Sequence, residues 1–162
     1  MGRSAIRGSL AALVLSGCND PSPVDEKPVA PVAIFEGLPL SGNKATALAA
    51  GFGACLETSN ALRCRKSGVM IKGIGPFEAA VDLKPAAGGR FDNVTLWHDS
   101  DQGAALPLKP VLENSGWKSC LTPDAERYWA PPSPLRIAID TSYWGKRRIV
   151  ISAPPPEPKP YC

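Results

Sequence analysis

Two short stretches of this 162-residue chain repeat each other: GFGACL at Gly51–Leu56 and GWKSCL at Gly116–Leu121, offset by 65 residues. The repetition constrains the fold, because the flanking patterns match as well. Each copy follows a short helical segment, SGNKATALAAG before the first and LPLKPVLENSG before the second. Ser41 is placed as a helix N-cap. Gly51 and Gly116 stand where a helix C-terminus takes a residue with positive φ. Pro107 and Pro110 are tolerated only in the first turn of the second helix. After each copy, apolar and polar residues alternate. Phe77, Ala79, Val81 and Leu83, then Val94 and Leu96, alternate in the first half; Ile137 and Ile139, then Ile149 and Ile151, do so in the second. Period-two alternation reads as half-buried antiparallel strands. Turns are expected at Thr58–Asn60, Pro85–Gly89, Pro131–Pro134 and Gly145. Eighteen prolines and fifteen glycines also disfavour an all-helical chain. The expected fold is α+β, with two tandem units, about 35–100 and 101–153. Each unit is one helix followed by an antiparallel meander of three or four strands.

The N-terminus has a different character. Arg3 and Arg7 precede an apolar run, Leu10–Leu15, that is far shorter than the roughly 20 residues needed to cross a bilayer. It has the length of a secretory signal core. It ends Leu15-Ser16-Gly17-Cys18. This leader resembles those of bacterial lipoproteins, in which a leucine and two small residues precede a cysteine that becomes the acylated first residue. The resemblance covers only the first 18 residues. It implies cleavage after Gly17, a lipid on Cys18 that attaches the chain to a membrane, and a periplasm-facing place in a bacterial cell envelope. Asn19, where an aspartate favours inner-membrane retention in enteric lipoproteins, favours the outer membrane. Residues 1–17 are then a signal peptide. Residues 18–34, rich in proline and charge, are a tether reaching roughly 50 Å if extended. Residues 35–153 are one globular domain, and 154–162 a Pro-rich tail ending in Cys162. Loss of the leader lowers the formal charge from +3 to +1, which gives no reason to expect nucleic-acid binding.

With Cys18 taken by lipid, four cysteines remain: Cys55, Cys64, Cys120 and Cys162. An even number in an exported domain reads as two disulfides, and four cysteines allow three pairings. The repeat favours one of them. A hairpin across Thr58–Asn60 brings Cys55 to Cys64, nine residues on. Trp129, not a cysteine, stands nine residues after Cys120. The favoured pairs are therefore Cys55–Cys64 and Cys120–Cys162. A tandem helix-plus-meander with a disulfide in each half is similar to the β-lactamase-inhibitor-protein architecture, of which small lipoproteins of outer-membrane assembly carry one unit. That resemblance rests on the order of elements and cysteines over roughly residues 36–153. It implies a predominantly antiparallel sheet with helices on one face and a protein-binding role.

Residues for catalysis are scarce. His98 is the only histidine, so a His-rich zinc site is excluded. A hydrolase would need His98 as its base, and no serine sits in a G-x-S-x-G elbow. Asp92, Asp99 and Asp101 lack calcium-loop spacing. The cysteines are expected to be oxidised, which removes them as nucleophiles. GIGPFE at Gly73–Glu78 is not a phosphate loop, because Pro76 and Phe77 interrupt it. No enzyme activity, metal or cofactor is expected. Two basic clusters stand out: Arg63, Arg65 and Lys66, then Lys146, Arg147 and Arg148. Tyr143 and Trp144 precede the second, and Tyr128 and Trp129 are expected on a neighbouring strand. Flat rings beside forked donors suit an interface. The candidate surface is thus Tyr128, Trp129, Tyr143, Trp144, Lys146, Arg147 and Arg148. Its expected partner is an envelope protein, or alternatively an anionic glycan or lipid. Phe52 and Trp117 are expected in the core, and Trp97 and Trp144 are compatible with it.

Overall fold

The computed structural model describes residues 26–141 and 146–154. A two-stranded ribbon, β1 (Ile34–Phe35) and β2 (Leu38–Pro39), leads into helix α1 (Lys44–Ala49). Strands β3 (Gly53–Glu57), β4 (Leu62–Ile71), β5 (Ile74–Leu83) and β6 (Asn93–Trp97) follow. Then come helix α2 (Leu108–Asn114) and strands β7 (Lys118–Leu121), β8 (Ala125–Trp129), β9 (Arg136–Asp140) and β10 (Arg148–Ser152). The last eight strands form one antiparallel sheet in the order β3-β4-β5-β6-β10-β9-β8-β7. The two four-strand runs meet at β6–β10, in register from Asn93–Ser152 to Trp97–Arg148. The chain is therefore mainly antiparallel sheet with two short helices.

Alternation along the strands sorts the side chains. Phe77, Ala79, Val81 and Leu83 of β5, Val94 and Leu96 of β6, Ile137 and Ile139 of β9, and Ile149 and Ile151 of β10 are all buried. They share one core with Ala47 of α1 and Leu108 and Leu112 of α2. Both helices thus pack on one face of the sheet. Gly51 and Gly116 end the helices with φ of 83° and 82°, as their positions imply.

The N-cap of α1 is Asn43 rather than Ser41. The Asn43 side chain accepts from the Thr46 amide at 2.9 Å, and the Thr46 hydroxyl takes the Asn43 amide. This closes a reciprocal capping box. Ser41 Oγ accepts instead from the Val32 amide at 2.8 Å. The segment expected to be a tether through residue 34 is docked from Lys27 onward. Asn43 Nδ2 donates to the Lys27 carbonyl at 2.8 Å, and Thr46 Oγ1 both accepts from and donates to the Val29 backbone. The polar atoms that cap α1 thus also bind the incoming chain. Composition could not reveal this, because the docking uses backbone groups.

Gly42 sits against this knot with φ +151°, and a Cβ there would lie 2.6 Å from Thr46 Cβ. Gly42→Ala is expected to destabilise the fold by about 2 kcal/mol through backbone strain and overpacking. It should also speed amide exchange at Val29. A urea midpoint unchanged from wild type would show that the knot yields without cost.

Cys55 and Cys64 form a disulfide across β3–β4, with Cα atoms 4.0 Å apart. The hairpin closes at Thr58, whose amide donates to the Ala61 carbonyl at 2.8 Å. Cys120 is engaged rather than free. Its expected partner Cys162, the lipid site Cys18 and the turn glycine Gly145 lie outside the described residues.

Candidate functional site

No described segment covers the centre of the sheet face that lies away from the helices. Arg63 and Arg65 of β4, Asp82 of β5, Thr95 and Trp97 of β6, and Arg148 and Val150 of β10 all project there. Register places Arg65, Ala80, Thr95 and Val150 in one row across four strands. The last three are short side chains with long ones beside them, which leaves a cleft of about 360 Å³. Lys146 and Asp99 close one end.

The cleft is organised by charge. Arg63 donates through Nε and a terminal nitrogen to both Asp82 oxygens, each at 2.7 Å. This fork holds the Asp82 carboxyl below the usual carboxylate range, helped by nearby Lys84 and Arg148, and raises the Arg63 guanidinium. The Arg65 guanidinium lies over the Trp97 ring, 5.7 Å from its centroid. That distance suits a cation–π contact. Trp97 Nε1–H donates to Asp99 Oδ1 at 3.1 Å, and Lys146 Nζ donates to the same oxygen. The Lys146 bond, then the Trp97 bond, lowers the Asp99 carboxyl. Four cations against two carboxylates leave the cleft with two positive charges in excess.

No family model, curated protein or solved structure matches this chain. Function must be read from the site alone.

The two basic clusters, some eighty positions apart in sequence, converge here, but only in part. Strand alternation sends Arg63 and Arg65 to the cleft and Lys66 the other way. There the Lys66 ammonium donates to the Ala50 carbonyl at 2.8 Å, at the end of α1. Arg148 lines the cleft, whereas Arg147 is half-buried outside it. Tyr128 is not on the surface. It is fully buried, paired in register with Ile137, and its hydroxyl donates to Glu126 Oε1 at 2.7 Å. Trp129, next in the strand, falls on the open face opposite Arg136, away from the cleft. Tyr143 and Trp144 lie outside the described residues. Trp97, expected to suit the core, is instead the ring of the site. Phe52 is buried as expected, and Trp117 packs edge-on against Phe35 at 6.0 Å.

His98 serves a turn. Its Nδ1 accepts from the Asp101 amide at 2.9 Å and the Ser100 amide at 3.3 Å. Among the described residues, no group of three or more His, Cys, Asp or Glu side chains converges as a metal site would require. Nor is any described helix long and apolar enough to cross a membrane.

The Arg63–Asp82 fork has a pH signature. Its lowered Asp82 makes the pair stabilising above the ordinary carboxylate value of about 3.9, and that stabilisation fades as pH falls through the lower folded value. Both groups are partly exposed, so screening keeps the effect below about 1 kcal/mol. Asp82→Asn should therefore be less stable than wild type at pH 7 and approach it near pH 2 in urea titrations. A gap that stays constant with pH would refute the assignment.

Proposed function

We propose that this chain is a non-catalytic, lipid-anchored module of the bacterial cell envelope that docks a protein partner on the open face of its sheet. The observation that carries the reading is the convergence of Arg65 and Arg148, from two separated basic clusters, beside Trp97 in one cleft that no described segment covers. Rings and arginines are the side chains that contribute most at protein interfaces. The anchor is Cys18, supported by the Leu15–Cys18 motif, and Asn19 supports the outer membrane as its place. The order helix, four strands, helix, four strands supports descent from two tandem helix-plus-meander units, the arrangement of β-lactamase-inhibitor-like proteins. It also supports Cys120–Cys162 as the second disulfide.

Site-specific photo-crosslinking tests the docking. With p-benzoylphenylalanine at Val150 in the full-length chain, in its native cells, one discrete protein adduct is expected. None should form from Leu48, which is exposed on α1. Adducts that are absent or equal at both positions would sink the reading. Salt-sensitive sedimentation with peptidoglycan or lipopolysaccharide would then favour an anionic glycan or lipid instead. Mass spectrometry of the mature N-terminus tests the anchor, and an unmodified Cys18 would remove it.

A further inference from the structure

We infer that the cleft grips two carboxylates on an acidic segment of its protein partner, with Arg65 and Arg148 as the donors and Trp97 as the apolar base beside them. This rests on the docking reading above and gives the partner its chemistry.

The four cations of the cleft are not equivalent. Arg63 is forked to Asp82, and Lys146 is paired with Asp99. Those two cations are spent on holding the walls. Arg65 and Arg148 make no ion pair among the described residues. Arg65 lies over the Trp97 ring, and Arg148 stands directly opposite Trp97 in the β6–β10 register. The indole thus has one guanidinium over its ring and Arg148 as its cross-strand neighbour. A guanidinium lying on a ring keeps its in-plane N–H groups available, and those match a carboxylate in forked geometry. The ring supplies apolar contact for the methylene stem of an aspartate or glutamate.

Charge also limits what can enter. The excess of two positive charges balances two carboxylates. A densely charged polyanion would meet Asp82 and Asp99 within the same cleft and be repelled. A volume of about 360 Å³ holds a few side chains, the scale of a loop tip. An acidic loop of a protein meets both limits.

The test uses the full-length chain in non-ionic detergent, with a fluorescently labelled Gly/Ser peptide carrying two glutamates as probe and anisotropy as readout. Saturable binding is expected. Arg65→Ala and Arg148→Ala should each weaken it about tenfold, the order expected for losing a hydrogen bond to a charged group. Arg65→Lys, which keeps charge but loses the fork, should fall between. Lys44→Ala, exposed on α1 on the other face of the sheet, should stay within about twofold. Equal weakening in all variants would mean non-specific attraction and overturn the inference. Displacement by inorganic phosphate or phosphatidylglycerol vesicles as effective as by the unlabelled two-glutamate peptide would also overturn it, in favour of a simple anion or a membrane. The Val150 adduct separates the two levels of reading. If it persists in the Arg65→Ala/Arg148→Ala chain, the carboxylate pairing falls and docking stands. If wild type forms no adduct, docking itself falls.

Discussion

Phe52→Ala is expected to destabilise the fold by about 3–5 kcal/mol, the range for removing a fully buried ring. Phe52 is 1 % exposed and belongs to the core that α1 closes. Its amide donates to the Ala47 carbonyl at 3.0 Å, and Gly51 just before it turns the chain into the sheet. Its ring therefore fills the junction between helix and sheet. The Lys66 ammonium sits 6.0 Å from the ring centroid and would lose that contact too. Domains of this size are stable by about 5–15 kcal/mol, so the loss is a large share of the total. Trp117 occupies the matching position after α2 but is only partly buried. Trp117→Ala should cost less. Urea unfolding of both variants checks the order, and a Phe52→Ala loss below about 1 kcal/mol would contradict the packing described.

Replacing both Cys55 and Cys64 by alanine is expected to cost about 3 kcal/mol. Most of that acts through the unfolded chain, which loses a cross-link closing a short loop. The entropic account is model-dependent, but it carries a second signature. Without the bond the denatured chain is more expanded, so the urea m value should rise while the midpoint falls. Cys64 is fully buried, so a small packing loss adds to the effect. A double variant within about 1 kcal/mol of oxidised wild type, with m unchanged, would show that the bond restrains little.

Much of this architecture can be read from the chain itself. The glycines after both helices, the hairpin that joins Cys55 to Cys64, and the alternation in β5, β6, β9 and β10 are local signals, and they agree with the fold. Strand β4 has no such signal, because Ser67 and Gly68 interrupt its apolar positions and its register with β5 shifts there. Docking of residues 27–33 left no trace in composition. The site divides the same way. Both basic clusters are visible as clusters, but which members meet depends on strand phase. For Trp97 the phase was available: the alternation that turns Val94 and Leu96 inward turns Thr95 and Trp97 outward. For Tyr128 and Trp129 it was not. Two adjacent rings must face opposite ways, and nothing local tells which one faces in. The β8–β9 register decides it, by setting Tyr128 against Ile137.

The seam between β6 and β10 also sets an order of events during synthesis. It joins Asn93 to Ser152 and Trp97 to Arg148, so the centre of the sheet closes with the last of the described strands to be synthesised. A chain emerging N-terminus first can assemble α1 and its four strands early. It then holds β6 as a raw edge while some fifty more residues arrive. Such long-range closure is slow, and an unpaired edge invites wrong partners.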